Sequence, residues 1–164
     1  MYEIDKTDLE IVNLLQENGR MSASEIARRL GNVSERAIRY RIERMRDCNI
    51  FQIGVVVRPE AFGLLTKADV LLEVESDRIR EVAQIMTEYE NVTYVACSIG
   101  ESDISIQVVA RDTDEVYRFV TETIRKVPGV RRTTTSIVPL ILKDVYQWRI
   151  PENIIKNPPQ KESG

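Results

Sequence analysis

Within the first forty residues one short pattern occurs three times: an apolar residue, a residue whose side-chain oxygen can cap a helix, and a second apolar residue four positions beyond the cap. The instances are Ile4-Asp5 with Leu9, Met21-Ser22 with Ile26, and Val33-Ser34 with Ile38. Each reads as an N-cap that satisfies a free amide of the first turn, flanked by a hydrophobic staple. Ser22 and Glu25 also have the spacing of a capping box. Three short helices follow. Asn18-Gly19 ends the first, Gly31 ends the second by entering left-handed backbone without a Cβ clash, and Asn49 can do the same for the third. Only Gly31, Asn32 and Val33 remain between the second and third helices. So short a glycine turn between stapled helices is a helix-turn-helix, which makes residues 1–50 one domain.

Helical spacing sorts the third helix into faces. Ile38, Ile42 and Met45 form an inward stripe, so Arg36, Tyr40 and Glu43 lie opposite, with Arg39 and Arg44 on the flanks. The whole chain carries a net charge of -3, but the charge is unevenly placed. Residues 28–46 hold seven arginines against Glu35 and Glu43, a local +5, whereas residues 1–25 hold six acidic side chains and two basic ones. A phosphate backbone senses the local field, because charges beyond about 10 Å are screened at ordinary salt. In a helix-turn-helix the N-terminal half of the second helix reaches base edges, which nominates Ser34, Glu35, Arg36, Arg39 and Tyr40 as readers of double-stranded DNA. Arg28 and Arg44 flank that face and are placed to hold phosphates.

The pattern changes after residue 50. Ile50 to Val57 is an apolar, β-branched run expected to form a linking strand, and Arg58-Pro59 and Gly63 mark a linker extending to residue 66. Ala68 to Glu75 reads as a strand, and Ser76 as the cap of a helix bearing Ile79, Val82, Met86 and Tyr89. Val92 to Ile99 reads as a strand, Gly100-Glu101-Ser102 as a tight connection, and the alternating Ile104 to Ala110 as its partner. Asp112 opens a helix with Val116, Phe119, Val120, Ile124 and Val127 inward, Pro128-Gly129 stops it, and Val130 to Leu142 is the last strand, with Pro139 removing one ladder donor. The order βαββαβ predicts a ferredoxin-like domain over 67–143, an antiparallel sheet with both helices on one face. The expected fold class is thus α+β, a helix-turn-helix joined to a ferredoxin-like effector and dimerisation domain. With Val95, Val109 and Val138 assigned to the uncovered sheet face, a second copy is its expected cover, giving a two-fold homodimer. Residues 144–164 are expected to form an arm docked by Trp148 and Ile150 and frayed beyond.

Composition narrows the function. The longest apolar runs fall far short of the roughly 20 residues of a membrane helix, and the N-terminus lacks a signal region, so the expected location is the cytoplasm, with no membrane partner. There is no histidine, which excludes Ser-His and Cys-His hydrolases and a four-ligand zinc set; no metal, cofactor or catalytic residue is expected. Cys48 and Cys97 are expected to pack in the core as free thiols. An RNA-recognition module would stack bases on aromatics of its central strands, and Asp103 to Ala110 has none.

Several motifs in the same order resemble the Lrp/AsnC family of feast/famine transcriptional regulators. They are Ile4 to Ile11, Ser34 to Ile38 with Arg41-Ile42, Met45 and Asn49-Ile50, Gly100-Glu101-Ser102-Asp103, and Pro128-Gly129-Val130 with Thr133, Thr135 and Ile137-Val138. The resemblance spans residues 2 to 143. It implies a DNA-binding domain joined to a sensing domain, dimers assembling into tetramers or octamers, and an amino-acid effector held near the glycine-aspartate turn. The chemistry agrees with that expectation. Asp103 can meet an ammonium, the backbone at Gly100, Glu101 and Ser102 can meet a carboxylate, and the Thr133 and Thr135 hydroxyls add donors. The competing readings are an effector-independent architectural DNA binder of the same fold and, as an enzyme, a sirohaem decarboxylase, which uses the histidines this chain lacks.

Overall fold

The computed structural model describes residues 2–151 and 153. Two compact units emerge. Residues up to Val56, joined by those from Lys143 onward, form the first, and residues 57–142 form the second.

The first unit is built on α1 (Lys6–Glu17), α2 (Ala23–Leu30) and α3 (Glu35–Asp47), each entered through the cap foreseen for it. Asp5 accepts from Asp8 N at 2.9 Å, Ser22 from Glu25 N at 3.2 Å, and Ser34 from Ala37 N at 3.2 Å. The reciprocal capping box belongs to Asp5 and Asp8 rather than to Ser22 and Glu25, because the Glu25 carboxylate turns to Arg28 and Arg29 instead. Gly31 and Asn49 both adopt left-handed backbone. At Asn49 the third helix closes with Asn49 N donating to Arg46 O and Ile50 N to Met45 O, a Schellman arrangement. Ile11, Val12, Leu15, Ile26, Ile38 and Met45 form the buried core.

A polar cluster locks α3 onto α1. Asp8 is fully buried, and its carboxylate accepts from the Arg41 guanidinium at 2.8 Å, from the Tyr2 hydroxyl at 2.9 Å and from Asp5 N at 3.1 Å. Arg41 also donates to Asp5 at 2.8 Å. Burial opposes the charges, but the pairing prevails: Arg41 is held above its usual range and Asp5 below the usual carboxylate value. The chain returns to this unit at its far end. Asp144 caps a short turn, Val145–Gln147, and Gln16 Nε2 donates to the Trp148 carbonyl at 3.0 Å. Ile150 packs against the helical core, so the arm docks as expected at Ile150, while Trp148 contributes its carbonyl and leaves its ring half exposed. The expected fraying beyond Ile150 falls almost entirely outside the described residues.

The expected strand over Ile50 to Val57 is absent: residues 51–58 are irregular, with Val55 90% exposed. Apolar β-branched residues favour extended backbone, but a strand requires a neighbouring ladder, and none lies beside this segment.

The second unit is a four-stranded antiparallel sheet in the order β2-β3-β1-β4. The strands are β1 (Thr66–Val74), β2 (Val92–Cys97), β3 (Ile104–Ala110) and β4 (Val130–Ile137). Ala68, Val70, Leu72 and Val74 of β1 and Ile104, Ile106, Val108 and Ala110 of β3 line one face and pack with Val82 and Met86 of α4 (Ile79–Thr87) and Val116 of α5 (Thr113–Arg118). This is the ferredoxin-like α+β arrangement. α5 continues as a wider π-helical stretch, Phe119–Thr123, and a tight final turn, Ile124–Lys126. The inward residues Val116, Val120 and Ile124 recur every four positions, which drifts off one face of a 3.6-residue helix, and the wider turn takes up the drift.

Several expectations are corrected. Ser76 lies in a turn and caps nothing; α4 starts at Ile79 after Arg78, without a side-chain cap. β4 ends at Ile137, two residues before Pro139. Val95 pairs with Ile106 and faces the core, because a bulge in β2 between Val92 and Tyr94 shifts the alternation. The uncovered face is mostly polar: Asp69 accepts from Gln107 at 3.0 Å and Glu73 from Arg132 at 3.2 Å. The apolar-face argument for a dimer therefore does not hold. Cys48 and Cys97 are exposed, one at the end of α3 and the other at the end of an edge strand, places that offer no core to enter.

Two outcomes follow from the Asp8 cluster. Arg41→Ala should lower stability by about 3 kcal/mol in urea unfolding followed by circular dichroism, because it strands a buried carboxylate. The Tyr2 hydroxyl is pushed up to about 12 by burial and by its bond to Asp8. A raised phenol favours the fold below its ordinary value of 10.0 and loses that contribution as pH rises toward 12. Wild type should therefore lose more stability than Tyr2→Phe between pH 10 and 12.

Candidate nucleic-acid interface and effector turn

The exposed side of α3 is formed by the residues that the burial of Ile38 and Met45 turns outward. Ser34, Glu35, Arg36, Arg39, Tyr40 and Arg44 are all exposed, and Tyr40 is 61% open to solvent, high for an aromatic ring. Ser34 spends its hydroxyl on the cap, which leaves the ends of Glu35, Arg36, Arg39 and Tyr40 to project from the first two turns.

The seven arginines divide into three groups. Arg41 is turned inward to Asp5 and Asp8 and leaves the interface; it is structural, a role its place in a charge run concealed. Arg28 and Arg29 bind Glu25, and Arg39 binds Glu35 across one helical turn at 2.7 Å. The hydrogen bonds from Arg28 and Arg29 hold Glu25 below the usual carboxylate range. Such exposed pairs contribute little net stability, so an arriving phosphate can take over the guanidinium. Among the described residues Arg36, Arg44 and Arg46 make no ion pair.

In the second unit the Gly100 to Asp103 segment closes the β2-β3 hairpin, with Ser98 N donating to Asp103 O at 2.8 Å. Gly100 has φ 151°, and nothing lies within 4 Å of where a Cβ would stand, so the backbone there is both glycine-specific and open. Asp103 is less free than its place in a turn implies. Its backbone N donates to Leu72 O at 2.9 Å, and its carboxylate accepts from Val74 N at 2.7 Å, beside the register shift between Glu73 and Val74. Arg131, which sequence reasoning passed over, lies 4.0 Å from the same carboxylate. Only the tertiary pairing could reveal it, because 28 residues separate the two in the chain. Thr133 is in register with Leu72 and so lies across β1 from the turn; Thr135 pairs with Val70, farther along the strand. The structure thus gathers Gly100, Glu101, Ser102, Asp103, Arg131 and Thr133 at one end of the sheet and leaves Thr135 at a distance.

Comparison with known proteins accounts for both units. Residues 4–46 match the model of the AsnC-type helix-turn-helix domain, and residues 67–147 that of the Lrp/AsnC ligand binding domain. A helix-turn-helix transcriptional regulator of Pyrococcus abyssi is 35% identical over 147 residues, spanning 89% of this chain and 90% of its own length. The transcriptional regulator NMB0573 of Neisseria meningitidis, solved as its complex with L-Met, superposes with a TM-score of 0.84 at 26% identity, covering 93% of this chain and 99% of the other. Escherichia coli AsnC shares the fold, with a TM-score of 0.80 at 24% identity over 88% of this chain and 99% of its own.

The Asp103 geometry changes what its substitution should do. Asp103→Ala leaves the amide of buried Val74 without an acceptor and should cost about 1 to 3 kcal/mol, whereas Asp103→Asn keeps an acceptor oxygen and should cost less. Thermal unfolding of the two variants separates these outcomes.

Proposed function

This chain belongs to the Lrp/AsnC family of DNA-binding transcriptional regulators, a helix-turn-helix ahead of a ligand-binding domain, and from that premise we propose that it is a sequence-specific regulator whose operator affinity or assembly responds to an amino acid. Ser34, Glu35, Arg36, Arg39 and Tyr40 approach base edges in the major groove of double-stranded DNA, and Arg28 and Arg44 hold phosphates. The observation that carries this reading is the exposure of Ser34, Glu35, Arg36, Arg39, Tyr40 and Arg44 on a helix whose Ile38 and Met45 are buried. A homodimer, built further into tetramers or octamers, would present paired recognition helices to half-sites about one helical turn apart. Such a protein acts in the cytoplasm, where the chromosome lies.

For the effector we propose Gly100, Glu101, Ser102 and Asp103, with Thr133 as a flanking hydroxyl, Thr135 set aside by its place farther along β4, and Arg131 added from the structure. NMB0573, which shares the fold, was solved with L-Met, and that supports an amino acid as the class. The open backbone at Gly100 and the Arg131 guanidinium suit a carboxylate, and the second oxygen of Asp103 suits an ammonium. Glu101 beside Asp103 disfavours an acidic side chain. One observation favours an effector-independent architectural protein: Asp103 already has a structural role at Val74.

One set of measurements decides between them. On a selected operator, Arg36→Ala or Arg39→Ala should weaken binding by about 1 to 3 kcal/mol, while Arg28→Ala or Arg44→Ala should weaken all duplexes alike. A cognate amino acid at a hundredfold excess over Kd should add about 2.7 kcal/mol and raise the melting temperature by about 5 to 10 °C, and Asp103→Asn should remove that shift. If twenty amino acids at millimolar concentration leave melting, sedimentation and operator binding unchanged, the architectural reading holds.

A further inference from the structure

Glu35 is an acidic residue in the first turn of the recognition helix, which a phosphate-binding surface does not explain. It sits at the first position of α3 inside the most basic stretch of the chain, where a carboxylate opposes the approach of DNA. It accepts from Arg39 Nη2 at 2.7 Å, and both side chains remain open, Arg39 65% and Glu35 49%. No other partner of either group exists among the described residues, so the pair presents its remaining guanidinium N–H groups and its second carboxylate oxygen outward, side by side.

Taking the protein as a sequence-specific DNA binder, we infer that Glu35 and Arg39 act as one unit that selects a G·C base pair in each half-site, with Glu35 as the discriminator. Across the major groove, G·C displays two acceptors, guanine N7 and O6, followed by one donor, cytosine N4. The joined pair displays the complement: guanidinium donors followed by a carboxylate acceptor. At an A·T pair both contacts fail, because adenine N6, a donor, meets Arg39, and thymine O4, an acceptor, meets the Glu35 carboxylate. Reversing the base pair reverses the pattern, so the unit also reads strand orientation. Arginine alone would favour guanine; the carboxylate adds a penalty against A·T and C·G, which set an acceptor opposite it, while T·A offers O4 and N6 in the matching order and is disfavoured by putting a methyl group where guanine N7 would accept. The ion pair in the free protein sets the guanidinium beside the carboxylate, in the order that the base pair presents.

The test is selection by the full-length protein from a randomised duplex library, followed by competition binding on the selected duplex. Wild type should return a motif with a fixed G·C pair in each half-site. Glu35→Gln, an exposed and nearly isosteric change, should lower the preference for G·C over A·T at that position about tenfold, leave the other positions as they were, and bind generic duplex more tightly because a negative charge is gone. Arg39→Gln alone should lose the preference for G·C without gaining A·T, because Glu35 still opposes thymine O4, and Arg39→Gln with Glu35→Gln should move the preferred pair to A·T. A purely helical role for Glu35 predicts instead a uniform change on all duplexes and a small fall in melting temperature. A wild-type motif without a fixed G·C, or a Glu35→Gln protein with unaltered preferences at every position, overturns the inference while leaving sequence-specific binding intact. A wild type that retains no motif overturns both.

Discussion

The first unit depends on the burial of one carboxylate. Asp8 lies wholly inside, and three donors from two parts of the chain converge on it: the Tyr2 hydroxyl and the Asp5 amide from the N-terminal segment and the Arg41 guanidinium from α3. A buried charge tolerates little rearrangement, because any movement that separates a pair exposes the survivor to a low-dielectric interior. Arg41 stands on α3 one residue beyond Tyr40, so fixing its guanidinium to α1 fixes the rotation of α3 about its own axis. Apolar contacts from Ile38 and Met45 hold α3 against its neighbours but would accept modest sliding. The hydrogen-bonded charge sets the register, and with it the direction in which Glu35, Arg36 and Arg39 project.

Most of the local grammar was legible from residue types. The caps at Asp5, Ser22 and Ser34 and the left-handed exits at Gly31 and Asn49 depend only on residues within one turn, which is why they were readable. The order of strands and helices in the second unit was readable because alternation and helical spacing survive in the chain. The Ser76 cap and the Ser22–Glu25 box failed within one turn, and the larger failures were non-local. Ile50 to Val57 has strand composition without a partner strand, Val95 changed faces through a bulge that no local pattern announces, and the sheet surface is polar through pairings such as Gln107 with Asp69. At the candidate sites the recognition face was legible, since a helix face follows from spacing. The inward turn of Arg41 and the approach of Arg131 to Asp103 were not, since each joins residues distant in sequence.

The helical unit is discontinuous in the chain. It begins the sequence, yields to residues 57–142, and is completed by the segment that follows Leu142. Gln16 and the backbone of Trp148, together with Ile150 in the helical core, fasten the returning segment to α1. The second unit is therefore spliced into the first through two covalent connections rather than hung from one. β4 ends at Ile137, and Pro139, which cannot extend the ladder, stands in the connection that returns to the helical unit.

Asp103 is where those connections acquire chemical meaning. Its carboxylate holds the amide of Val74 at the register shift between β1 and β4, and Arg131 of β4 approaches the same oxygen. A carboxylate so placed cannot bind a ligand cation without changing what it offers its present partners. Under the proposed reading, an ammonium drawing charge from Asp103 would weaken the pull on Arg131 and free that guanidinium for the ligand's own carboxylate. Under the proposed reading, binding energy would then be spent on the pairing of β1 with β4 rather than on a preformed pocket, and β4 is the strand that leads back toward the helical unit. Only a ligand whose contacts differ between the two arrangements of that strand can shift them, which is the condition that separates a regulatory amino acid from one that merely binds.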